Sequence, residues 1–179
     1  MADSQGARPA EMRTLGDPDI TDLILDEHEE FRRQFVALWD LRPTADAKGI
    51  AAEWQPLADL LEVHASAEEE IFYPVLLKRG SDEASDETTD AIRDAIRAAA
   101  GADPGSHAWW EAILACRKAN DAHLAEEERD VIPDFRAHSD QELRDQLGVR
   151  WAAFHAEHRG ARGVSGDDID PDEYDTDHS

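Results

Sequence analysis

Hydrophobic positions along this chain recur at steps of three and four residues rather than at every second residue, a pattern that predicts helices and not strands. Ile20, Ile24, Phe31, Phe35 and Leu38 stack on one face of a first helix, with Asp17-Pro18 as its cap and first-turn proline and Pro43 as its stop. A second helix is expected over about 46–78, carrying Leu57, Leu60, Leu61, Ile71 and Val75 on its stripe, with Pro56 and Pro74 kinking or interrupting it. A polar loop over 80–87 leads into a shorter helix over about 85–100, and Ala102-Asp103-Pro104-Gly105 reads as a turn. Ser106 can cap a fourth helix in which Trp109, Ile113 and Cys116 continue toward Val131, with Pro133 late in the run. A fifth segment over about 140–159 sets Leu143, Leu147, Trp151 and Phe154 on one side. The expected fold is all-α, an antiparallel four-helix bundle with an additional C-terminal helix. Its boundaries are a flexible N-terminal segment 1–16, the bundle 17–160 and an acidic disordered tail 161–179.

Composition narrows the function without changing that picture. With 179 residues and 41% hydrophobic content the chain supports one core and one domain. Its 42 acidic side chains against 18 basic ones give a net charge of -24, which argues against nucleic acid and against anionic membrane surfaces as partners. The surface charge reads as solvation, with salt screening its self-repulsion. The lone Cys116 closes no intramolecular disulfide, no apolar run approaches the roughly 20 residues that span a bilayer, and the N-terminus lacks a signal-peptide core. A cytoplasmic protein is the expectation.

Candidate chemistry lies in an internal repeat. His64-Ala-Ser-Ala-Glu68-Glu69 and His123-Leu-Ala-Glu-Glu127-Glu128 are offset by 59 residues, and each is followed by a proline ten positions after its histidine, Pro74 and Pro133. On a helix the i and i+4 positions lie one above the other, so each His–Glu pair presents an imidazole and a carboxylate to a common point. Both pairs fall on apolar stripes, and His28 holds the same kind of place between Ile24 and Phe31. A carboxylate buried in a bundle is costly without a positive partner, and the inward stripes carry no Lys or Arg. A metal ion is the simplest compensator. Mixed imidazole and carboxylate ligands suit iron, manganese or zinc, and two carboxylates among three imidazoles suit one ion or a bridged pair. The order His-x-x-x-Glu differs from the Glu-x-x-His of ferritin-like bundles, and the His-Glu-x-x-His of zinc proteases is missing.

A first-helix histidine in Asp26-Glu27-His28-Glu29-Glu30-Phe31, followed by two copies of His-x-x-x-Glu-Glu with their prolines, resembles the hemerythrin-like (HHE cation-binding) family over roughly residues 19–138. The resemblance implies a four-helix bundle with a non-haem di-iron centre bridged by two carboxylates, and this chain is expected to hold one or two ions. It further implies His28, His64, Glu68, His123 and Glu127 as metal ligands, and dioxygen, nitric oxide or peroxide as the small ligand bound or sensed, or a role in handling iron. One departure stands out. Aligning the first and third helices at an offset of 61 places Thr89 where the family carries a further histidine, so a second ion would lack an imidazole unless water, Asp86, Asp90 or a histidine of the fifth helix replaces it.

Other polar residues read more plainly. His155 and His158 finish a packing helix, with a supporting or replacement ligand role as the alternative. Glu69, Glu70, Glu126 and Glu128 form a solvated flank, one of which could partner a neighbouring histidine. Cys116 and Trp39, Trp54, Trp109, Trp110 and Trp151 are packing residues. Pro74 and Pro133 express the repeat symmetry and not chemistry. Nothing identifies a nucleophile or an acid–base dyad, which favours a binding protein over a defined enzyme. The rivals are an iron-dependent peroxidase- or oxidase-like enzyme and a metal-free helical interaction module.

Overall fold

A computed structural model describes residues 18–79 and 86–164. The expectations for the N-terminal segment, for the loop before the third helix and for positions beyond 164 of the tail lie outside the described residues. Within them the chain is all helical, with no strand among the described residues. Helix α1 spans Ile20–Leu41, α2 Ala47–Ala67, α3 Tyr73–Lys78, α4 Asp86–Ala100, α5 His107–Glu126, α6 Ile132–His138 and α7 Gln141–Glu157. Five-residue π-helical turns, Glu68–Phe72 and Glu127–Val131, join α2 to α3 and α5 to α6. The molecule is therefore four rods, α1, α2–α3, α4 and α5–α6, with α7 added as a fifth. No helix of the described residues is long and apolar enough to cross a membrane.

The helix starts are chemically specified. The Asp19 carboxylate accepts from the Thr21 amide at 2.9 Å, Asp46 from Gly49 at 2.8 Å, Ser106 Oγ from Trp109 at 3.2 Å and Asp140 from Leu143 at 2.9 Å. Each such cap contributes about 0.5–2 kcal/mol. The cap of α1 is thus Asp19 and not Asp17-Pro18: the aspartate nearer the helix has the side chain in register with the second free amide, and Gln141 and Arg144 of α7 hold its other oxygen.

Proline behaves differently at its two expected break points. Pro56 lies inside an uninterrupted α2. Pro74 and Pro133 each follow a π turn, in which the Tyr73 amide donates to the Glu68 carbonyl and the Ile132 amide to the Glu127 carbonyl. A proline has no N–H and its ring crowds the carbonyl four residues back, so one extra residue in the preceding turn relieves the clash without breaking the rod.

The buried side chains fall into two apolar halves. One contains Phe31, Phe35, Leu38, Trp54, Leu57, Ile92, Trp109, Ile113 and Cys116, and the other Ile20, Ile24, Ile71, Phe72, Phe135, Leu147 and Trp151. His28 sits on α1 between Ile24 of one half and Phe31 of the other, and His123 and Glu127 lie on α5 and its π turn between Cys116 of one half and Val131 of the other. A polar layer is thereby sandwiched between hydrocarbon above and below. Helix α7 closes one flank with Leu147, Trp151 and Phe154, and approaches the entry of α1 so closely that a Cβ on Gly148 would lie 1.6 Å from the Pro18 carbonyl oxygen. After α7 a 3-10 turn, Arg159–Ala161, buries Ala161 against the second half, so the packed chain extends past Gly160.

Candidate metal centre

The polar layer contains the four side chains singled out by the repeat together with His28, and none of the five is more than 3% exposed. Three rods supply them: His28 from α1, His64 and Glu68 from α2 and the turn after it, His123 and Glu127 from α5 and the turn after it. His64 Nε2 lies 3.1 Å from Glu68 Oε1, His28 Nε2 3.4 Å from Glu127 Oε2, and His123 Nε2 3.2 Å from Glu68 Oε2 and 3.7 Å from Glu127 Oε2. One ligand atom from each of His28, His64, Glu68 and Glu127 falls within 4.8 Å of the other three. His123 joins that group through its contact with Glu68.

The outer face of the layer fixes which imidazole nitrogen looks inward. His64 Nδ1 donates to Glu27 Oε2 at 2.8 Å, and His28 Nδ1 donates to Glu128 Oε1 at 2.9 Å, which leaves both Nε2 atoms turned to the centre. Glu27 is itself held by Trp151 Nε1 at 2.8 Å, with His155 Nε2 3.4 Å away, while Arg32 donates to Glu128 at 2.7 Å. His155 stacks on Trp151 and so stands one layer behind the centre, and His158 packs on Phe154 and bonds the Arg162 carbonyl. Glu128 is the member of the expected solvated flank that partners a neighbouring histidine, His28. Glu69 is bound by Arg93 at 2.6 Å, whereas Glu70 is exposed.

Tyr73 is the functional neighbour that sequence reasoning missed. Its hydroxyl lies 3.0 Å from Glu68 Oε2 and 3.4 Å from Glu127 Oε1. In an α-helix a residue five positions on points about 140° away from the first, and only the π turn brings Tyr73 over Glu68. The matching proline was the available signal for that turn.

The two halves of the repeat correspond closely in space. Arg32 on Glu128 is mirrored by Arg93 on Glu69, and Glu27 beside His64 Nδ1 is mirrored by Thr88, whose Oγ1 lies 3.4 Å from His123 Nδ1. The symmetry fails where His28 meets Thr89, a buried threonine. Of the substitutes considered for the missing imidazole, Asp90 is exposed, His155 stacks on Trp151 and is not among the converging ligand atoms, and the Asp86 side chain lies outside the described residues.

Electrostatics within the layer set imidazoles against carboxylates. Burial depresses the His64 pKa, but Glu68 and Glu27 outweigh it and hold the imidazole well above its ordinary value. Burial likewise lowers His123, and Glu68 and Glu127 reverse the shift upward. Glu68 is driven by burial toward its neutral form, yet His64 and His123 bring it well below the usual carboxylate range. Glu127 is pushed up, first by burial and then by the charge of Glu68. Burial and both carboxylates push the Tyr73 phenol up, so it remains a donor. Cys116, buried and raised to about 12, stays a thiol and packs in the core.

Those charges leave four atoms of the centre without any hydrogen-bond partner: His28 Nε2, His64 Nε2, Glu68 Oε1 and Glu127 Oε2. Unsatisfied buried donors and acceptors are costly, and four converging on one point form a donor set that a cation would satisfy. Two nitrogens and two carboxylate oxygens fit a borderline transition-metal ion. Among known families, the one described as Hemerythrin HHE cation binding domain matches residues 19–135. Neither a curated protein nor a solved structure matches the chain.

Proposed function

The chain belongs to the hemerythrin HHE cation-binding family, and from that premise we propose that it is a non-haem iron-binding bundle whose polar layer binds a small oxygen- or nitrogen-containing ligand. The convergence of four partnerless buried ligand atoms carries this reading. His28 and His64 would hold the ion through Nε2, Glu68 and Glu127 through the oxygens that face the same point, and His123 stands against both carboxylates. Manganese or zinc satisfies the same donors. Iron, when bound, supplies a redox-active ion with positions open to dioxygen, nitric oxide or peroxide.

This chain's own residues do the rest. Glu27 and Glu128 keep the two imidazoles in the tautomer and orientation that point Nε2 inward. Tyr73 fixes the carboxylate planes and offers an O–H beside the centre. The five side chains lie buried between the apolar halves, so sensing, storage or detoxification of a small molecule fits the site better than turnover of a larger one. Substituting Glu68→Ala or Glu127→Ala should reduce metal content several-fold or more, whereas Glu70→Ala, at an exposed position, should leave it unchanged. Elemental analysis of the three purified variants checks this, and equal metal retention in all three would remove the assignment.

A further inference from the structure

The ligand atoms of the polar layer are divided unequally, and we infer that the centre holds a single metal ion per chain, gripped by His28, His64, Glu68 and Glu127, while Tyr73 and His123 close off a second position. This inference rests on the metal-binding reading above and narrows it.

Two bridged ions would need both oxygens of each carboxylate and imidazoles on both sides. Only one oxygen of each is free. Glu68 Oε1 and Glu127 Oε2 have no partner, while Glu68 Oε2 accepts from Tyr73 at 3.0 Å and from His123 Nε2 at 3.2 Å, and Glu127 Oε1 lies 3.4 Å from the same Tyr73 hydroxyl. One phenol therefore sits between the two oxygens that would have to reach a second ion. The imidazoles divide the same way. On the side of α1 and α2, His28 and His64 both present free Nε2 atoms, each backed by a carboxylate on Nδ1. On the side of α4 and α5, Thr88 and Thr89 replace the Glu27 and His28 of the repeat: a threonine hydroxyl, Thr88 Oγ1, lies 3.4 Å from His123 Nδ1 where His64 meets a carboxylate, and among the described residues no second imidazole stands beside His123. His123 then acts as a hydrogen-bond donor that holds Glu68 in place, and not as a ligand.

The test uses the full chain, stripped with a chelator and dialysed to equilibrium against excess Mn(II), with metal and protein both quantified. One Mn(II) per chain, showing the resolved electron-paramagnetic hyperfine pattern of an isolated ion, is the expected result. Two per chain with the broadened signal of a coupled pair would overturn the single-ion inference and leave metal binding intact, and no bound Mn(II), Fe(II) or Zn(II) would overturn both. His123→Gln should keep one ion per chain, whereas a fall to half the wild-type content would show His123 to be a ligand. The double variant Tyr73→Phe/Thr89→His should take up a second Mn(II). If it stays at one ion while retaining wild-type helical circular dichroism, Tyr73 and Thr89 are not what closes the second position. Should a variant fail to fold, the wild-type stoichiometry decides the matter alone.

Discussion

Glu27 precedes His28 by one residue, and on a helix neighbouring positions point about 100° apart, so the two side chains serve different partners. His28 enters the centre directly, while Glu27 reaches across to His64 Nδ1 at 2.8 Å and is gripped from behind by Trp151. A carboxylate in that position fixes the ring and raises its basicity as a ligand. Glu27→Gln keeps the shape but removes the charge, and should weaken metal affinity by about 10–100-fold. A competition titration against a chromophoric chelator measures this directly, and an unchanged affinity would show that Trp151 packing alone orients His64. Glu27 was not legible in the sequence because it lies off the apolar stripe, and its partner is 37 residues away. His64, Glu68, His123 and Glu127 were legible because their spacing is written twice, which separates them from ordinary surface His–Glu pairs, and His28 because it lies on the apolar stripe of α1.

At the level of elements, periodicity located the helices well because Ile, Leu, Phe and Trp recur at helical steps on amphipathic rods. It could not foresee the π turns, since a fixed step of 3.6 residues carries no information about one inserted residue. Tyr73 was hidden for that reason alone. Pro74 and Pro133 are more than marks of repeat symmetry: each accompanies a wide turn that begins at a carboxylate of the polar layer. The capping aspartate of α1 was placed two residues early because Asp17 and Asp19 are chemically equivalent in sequence, and only the contacts of Asp19 with α7 tell them apart. Helix α7 earns its place in the bundle through Gly148, where any side chain would meet the Pro18 carbonyl. Gly148→Ala should therefore destabilise the protein by about 1–3 kcal/mol, as overpacking of a close contact does. Thermal or denaturant unfolding reads the change, and an unaltered midpoint would mean that the entry of α1 moves aside freely.

On the scale of the whole molecule, the bundle is two hydrocarbon half-cores separated by one polar layer. Each half alone follows the ordinary logic of burial, and the layer between them contradicts it, since ionisable groups placed there forfeit water without gaining enough hydrogen bonds. A cation bound at the layer restores the balance, and its binding free energy then adds to folding stability by mass action. The decisive measurement follows from that linkage: the thermal midpoint of the stripped chain with and without Fe(II) under anaerobic conditions, alongside the metal content of the same samples. A bound ion accompanied by a clear rise in midpoint, reversed by chelation, is the predicted result. A chain that binds no iron, manganese or zinc and melts at the same temperature in their presence would contradict the account.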